Sequence, residues 1–183
     1  MEVFKVNQNI WLKTAEKYIK CGLHRMAYVV IDSPVAIVYG KKQVEEEVCN
    51  DLGYEVYEAF NNCATILGNP GDVVIGHFYE TDNGWRDRFV AYFVDWLRAK
   101  GLNAEYVKND VLVDGYKVCG MCVTRYGRID YTGGIISMHV NLDHIKAICK
   151  KPMEKVPKGL SEYGITTDEV EAMFIAFCKE ERR

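Results

Sequence analysis

The stretch NDVLVDGYKVCGMC, residues 109–122, gathers several groups that could do chemistry: the Asn109-Asp110 pair, one lysine at 117, and cysteines at 119 and 122. A lysine ammonium held on a rigid strand beside Gly120 would act as a fixed cation, offsetting the charge of a carboxylate or phosphate. The same Lys117 reads equally as a solvent-facing strand residue, because lysines are mostly exposed. Spacing alone leaves both readings open, and Asn109-Asp110 also has a plain reading as the turn that enters a strand.

The Cys119-Gly-Met-Cys122 spacing is that of a redox pair or half a zinc site. A redox pair needs a helix N-terminus to lower its thiol pKa, and this one lies in a β-rich stretch. In a strand, residues three apart face opposite sides, so the thiols would not meet without a bulge. No second closely spaced pair completes a metal site. His24, His77, His139 and His144 show no metal-binding spacing, and no Ser or Cys is visibly tied to them. Neither GxxxxGK[ST] nor GxGxxG occurs, which argues against P-loop and Rossmann nucleotide sites.

The elements that must position these groups are legible from periodicity. Residues 8–23 place Ile10, Trp11, Ala15, Tyr18, Ile19 and Leu23 near helical spacing. Residues 27–32 and 36–40 are β-branched and apolar, either two strands or one interrupted at Ser33-Pro34. A helix over 41–53, a strand over 54–60 and a strand over 72–80 follow. Residues 82–101 form the clearest helix, with Trp85, Phe89, Tyr92, Phe93, Trp96 and Leu97 on one side and Gly101 as its stop. Four strand-like runs joined by Asp-Gly and Tyr-Gly turns suggest hairpins. Short helices close the chain, the last opening on Thr166-Thr167-Asp168-Glu169 as an N-cap. Runs of strands with flanking helices predict an α+β fold with a mixed, mostly antiparallel sheet.

Bulk properties bound the rest. With 183 residues, 49% hydrophobic and 27% charged, the chain reads as one globular domain over 1–183. A formal charge of -3 gives no reason to expect nucleic-acid binding. No apolar run is long enough to cross a membrane, and the N-terminus lacks an export pattern, so a cytoplasmic location is expected. Seven cysteines scattered through apolar stretches fit a reducing compartment.

Several segments, in order along nearly the whole chain, resemble the lipoate-protein ligase A family, within the group that includes biotin ligases and octanoyl transferases. NDVLVDGYKVCG resembles the family's Asn-Asp … Gly-Lys-Lys-x-x-Gly signature. GNPGDVVIGHF, carrying Gly71 and Asp72, is similar to its His-Asp-Pro-Gly-Asn turn and strand, and GGIISMHVNLDHI to the strand ending in Asn-x-Asp-Leu. KGLSEYGITTDEVEAMFIAF is similar to the closing helical part. With these segments assigned, no accessory C-terminal domain of the kind many lipoate ligases carry is expected.

The resemblance implies a class II synthetase-like biotin/lipoate ligase domain. The implied activity joins lipoate or octanoate to AMP from ATP and passes the acyl group to a lysine of a lipoyl carrier domain; octanoyl transferases start from a thioester. It implies Lys117 as the essential cation, Asp110 as the acid associated with magnesium, Asn109 as a polar positioner, and Gly120 as a point of close backbone approach. Gly71, Asp72, Asn61, Asn62, Cys63 and Ala64 fall in its substrate-binding segments. The chain departs from the family where Arg-Arg-x-Ser-Gly-Gly-Gly is usual: Glu58 and Ala59 replace the arginines, Asn61 to Ala64 replace Ser-Gly-Gly-Gly, and Gly68 replaces the histidine. Losing two cations weakens polyphosphate binding, so a catalytically inactive member that binds a ligand or protein is the alternative. Cys149 lies in the region of the transferases' nucleophile, but its surroundings do not match and it is read as a core thiol.

Overall fold

The computed structural model describes residues 3–5, 8, 25–39, 43–59, 65–79, 84–126, 129–148 and 153–181. In chain order the strands are β1 (Val3–Lys5), β2 (Arg25–Val30), β3 (Val35–Tyr39), β4 (Glu55–Ala59), β5 (Ile66–Gly68), β6 (Val73–Tyr79), β7 (Ala104–Val107), β8 (Asp110–Val113), β9 (Tyr116–Tyr126) and β10 (Ile129–Ile136). The helices are α1 (Gln43–Asp51), α2 (Trp85–Ala99), α3 (Leu142–Ile148) and α4 (Thr167–Glu180). A 3-10 turn spans Leu160–Tyr163.

Seven strands form one sheet in the order β1-β2-β6-β10-β9-β8-β7, and three form a second in the order β4-β3-β5. In the large sheet β1 runs parallel to β2, and all other neighbours are antiparallel. In the small sheet β3 and β4 are parallel, as the intervening α1 permits, while β5 returns antiparallel. The α+β class with a mixed, mostly antiparallel sheet is therefore the observed one.

Alternation along the strands sorts residues onto two faces. One face carries Met26, Tyr28, Val73, Ile75, Val111, Val118, Cys119 and Ile136, packed against α2 and α4. The aromatic stripe of α2 enters this core: Trp85, Phe89 and Phe93 are fully buried, and Phe89 meets Phe174 and Phe177 of α4 edge-on. α4 begins as its sequence predicts, because the Thr166 hydroxyl accepts from the Glu169 amide while the Glu169 carboxylate accepts from the Thr166 amide. The opposite face carries Ala27, Val29, Val74, Phe78 and Tyr131, covered on the β2 side by Ile31 and Val35 near the small sheet. Ala36, Val38, Cys49, Tyr54 and Ile148 form a third cluster uniting the small sheet with α1 and α3.

The two apolar runs prove to be two strands, β2 and β3, in separate sheets, parted at Asp32-Ser33-Pro34. The short β1 and β5 carry too little periodicity to be read from sequence. The helix expected over 8–23 lies outside the described residues apart from Gln8.

Candidate functional site

Three consecutive hairpins, β7-β8, β8-β9 and β9-β10, build the site. The Asp114-Gly115 turn joins β8 to β9 with both residues at positive φ, 51° and 81°, as an Asp-Gly hairpin turn requires. Pairing then runs Val113 to Tyr116 and Leu112 to Lys117, but Val111 pairs with Cys119, leaving Val118 as an extra residue. This β-bulge sends both Val118 and Cys119 into the helix-side core. Its consequence is that Lys117 and Gly120, three residues apart, share the opposite face. A Cβ built on Gly120 would lie 2.9 Å from Lys117 Nζ and 3.0 Å from its Cε. The glycine thus leaves the space the lysine tip occupies.

Asp110 stands across from Gly120 on the same face. Its Oδ1 lies 2.8 Å from Lys117 Nζ and its Oδ2 2.8 Å from Lys155 Nζ. Lys155 also donates to the Val107 carbonyl at 2.7 Å. Burial pushes the Asp110 pKa up, but the hydrogen bonds and charges of Lys117 and Lys155 outweigh it and hold the carboxyl below its usual value. Lys117 is 37% exposed and Lys155 only 13%. The lysine at 117 is therefore neither a free surface charge nor a buried one.

Lys155 arrives on the segment that follows α3. Where β10 has ended, Lys117 N–H donates to the Val156 carbonyl and Lys158 N–H to the Lys117 carbonyl, both at 2.9 Å. Residues 156–158 thereby take over the edge of β9 at the lysine itself. Lys155 is the site residue that sequence reading missed, since nothing in KPMEKVPKG marks it as a partner of an aspartate 45 positions earlier.

The remaining candidates divide. Asn109 is exposed in the β7-β8 turn, and its carbonyl accepts from the Met121 amide at 2.7 Å. Asp72 is 1% exposed and serves the fold: it accepts from the amides of Met138 at 2.6 Å, Asn69 at 2.8 Å and His139 at 3.2 Å. Burial raises its pKa to about 6 despite those three amides and the His139 charge. Because the neighbouring Ser137 N–H donates to the Val118 carbonyl at 2.9 Å, Asp72 anchors the loop that braces the bulge. Gly71 sits in the same tie at φ 93°, its carbonyl accepting from Thr167 Oγ1 at 3.0 Å. Asn61, Asn62, Cys63 and Ala64, like His24 and Cys149, lie outside the described residues. Glu58 is exposed on β4.

Cys119 and Cys122 belong to opposite faces, as alternation predicts, and burial pushes the Cys119 thiol up to about 12. That is the reverse of a reactive thiol. Among the described residues no group of three or more His, Cys, Asp or Glu side chains could hold a metal ion. Asp110 offers magnesium a poor site, because an ammonium holds each of its oxygens.

Beyond the ion cluster, Gly120, Cys122 and Thr124 of β9 and Ile135 of β10 form a half-buried strip on the same face, backed by buried Val74, Phe78 and Tyr131. The site thus couples a cationic end to an apolar floor.

The fold has solved counterparts. A bi-partite lipoate protein ligase of Thermoplasma acidophilum, described with its E2 lipoyl domain, superposes with a TM-score of 0.80 at 16% identity, over 98% of this chain and 82% of that one. A lipoate-protein ligase A bound with ATP gives 0.77 at 16% identity, over 98% and 84%. A biotin protein ligase of Aquifex aeolicus gives 0.57 at 10% identity, over 98% and 69%. These likenesses establish the fold as that of the lipoate and biotin ligases. No curated protein matches the chain. The model of the lipoyl protein ligase A/B catalytic domain matches residues 15–175, the greater part of the sequence and all of the ion cluster, and the chain belongs to that family.

Proposed function

We propose that this protein transfers a lipoyl or octanoyl group to a lysine of a lipoyl carrier domain. The observation that carries the reading is that the bulge lays the Lys117 ammonium over Gly120 at the end of the half-buried strip. An acyl chain laid on Gly120, Cys122, Thr124 and Ile135 would be shielded from water, with its carboxylate at the ammonium.

With ATP as the activating substrate, a carboxylate oxygen attacks the α-phosphorus, an acyl-adenylate forms and pyrophosphate leaves. The amine of the carrier lysine then attacks the acyl carbonyl, the carbon-oxygen bond to AMP breaks, and an amide remains with one proton released. Lys117 acts in both steps by offsetting negative charge, first on the carboxylate and α-phosphate, then on the carbonyl oxygen. No step passes through a metal on Asp110. The family membership supports this reading, as do the ATP bound to one structural relative and the E2 lipoyl domain described with another.

Glu58 and Ala59, standing where the family has an arginine pair, favour a second reading: a member that holds an acyl ligand or carrier domain without activating it. Intact mass of an apo lipoyl carrier domain, incubated with the protein, ATP, magnesium and lipoic or octanoic acid, separates the two. A gain of one acyl group, absent with Lys117→Ala, is the expected result. No gain from the free acid or from an acyl-carrier thioester would leave the binding role.

A further inference from the structure

We infer that Lys155 occupies, on Asp110, the place a divalent cation would take, so that this site meets its anion with the Lys117 ammonium, held by an Asp110–Lys155 pair, and no metal on the aspartate. The inference deepens the acyl-transfer reading above and rests on it for the identity of the anion.

The geometry assigns the two lysines different work. Lys155 is 13% exposed and spends its hydrogen bonds inward, on Asp110 Oδ2 at 2.8 Å and the Val107 carbonyl at 2.7 Å. Its backbone neighbour Val156 is fixed to Lys117 at 2.9 Å, so the ammonium is placed by the fold. Magnesium demands oxygen ligands at about 2.0–2.1 Å in octahedral array. To reach Oδ2 it would have to displace Lys155, leave the Val107 carbonyl without its donor, and sit between two positive charges. The nearby Glu154 is already paired with Lys108 at 2.8 Å. Asp110, Lys117 and Lys155 together carry a net charge of +1, which matches a single carboxylate.

The arrangement also explains how Lys117 can serve a ligand while bonded to Asp110. When the ammonium of this 37% exposed side chain turns to an incoming anion, Asp110 keeps Lys155 and is not left as a buried unpaired charge. Lys155 is thus a positioning residue acting through Asp110. The metal that polyphosphates carry in solution is a separate matter.

Manganese titration read by amide NMR tests this without reference to activity. In the wild-type chain the amides of Asp110, Lys117 and Gly120 keep their intensity at millimolar Mn2+. In Lys155→Gln, which can still donate to the Val107 carbonyl but has no charge, these amides broaden selectively, with affinity gained by roughly tenfold or more from the lost repulsion. Lys155→Arg, keeping the charge, continues to exclude the ion. Saturable broadening of the wild-type amides at submillimolar Mn2+, or no gain in the glutamine variant with its fold intact by thermal melting, overturns the inference. Failure of the wild-type chain to acylate a carrier domain would remove the ligase reading alone, since the manganese result does not depend on turnover.

Discussion

The two faces of the seven-stranded sheet follow opposite rules. On the helix side large rings fill the space: Trp85 stacks on Phe89 at 5.4 Å and Phe89 on Phe93 at 5.9 Å, all of them fully buried. On the other side small or half-buried residues, Gly120, Cys122, Thr124 and Ile135, leave the floor open beside an aspartate shared by two lysines. The first face supplies free energy of folding, because burying each large apolar side chain contributes about 1.5–3 kcal/mol. The second face keeps such burial at Phe78 and Tyr131 and gives it up around Gly120 for room and charge. One strand serves both, and the bulge at Val118 is where β9 turns a core-facing pair into a site-facing lysine.

Four substitutions probe that division, from the largest effect to the smallest. Phe89→Ala removes the ring at the centre of the helix-side cluster and should cost about 3–5 kcal/mol in urea unfolding, with the activity of the remaining folded protein little altered. A loss of turnover out of proportion to the folded fraction would show that the faces are not separable.

Lys117→Ala should do the converse. Acyl transfer to a carrier domain falls by about 10²–10³-fold, the cost of deleting an oxyanion-stabilising group. Stability changes by about 1 kcal/mol or less, because Lys117 is more than a third exposed and the part-buried Asp110 retains Lys155. Equal losses of stability and activity would place Lys117 with the core instead.

Asp72 gives a pH-dependent test of the tie beneath the bulge. Its pKa rises from the ordinary 3.8 to about 6 in the folded chain, chiefly through burial. The unfolded chain therefore loses this proton first as pH rises. The contribution of Asp72 is complete below about pH 4, is lost as pH climbs towards about 6, and levels off above, a change on the order of 3 kcal/mol. Chemical denaturation from acid to neutral pH should show the wild type losing stability relative to the non-titrating Asp72→Asn by that amount across the window. A constant difference would mean that the carboxyl does not titrate there.

Gly120→Ala is the finest probe. The added Cβ would push against the flexible tip of Lys117 rather than against backbone, so the fold tolerates it while the ammonium shifts by a few tenths of an ångström. Activity should fall about tenfold with stability nearly unchanged. Full activity in this variant would mean that the glycine is not holding space for the lysine.

Much of the framework was legible in the chain. The aromatic stripe of α2, the Thr166 cap of α4 and the Asp114-Gly115 hairpin are local signals, set by interactions within a few residues, and the structure realises each of them. The opposite orientation of Cys119 and Cys122 followed from strand alternation alone. Of the candidate site residues, Lys117, Asp110 and Gly120 lie together on one face of the sheet. Asp72 and Gly71 instead engage the fold.

By itself, then, the sequence determined the residue types, the order of the longer described elements and the family. It could not determine that Lys117 and Gly120 share a face, because strand alternation puts residues three apart on opposite sides and only pairing with β8 creates the bulge that reverses this. Nor could it join Lys155 to Asp110 or Asp72 to Met138, contacts spanning 45 and 66 positions whose closure depends on every strand laid down between them.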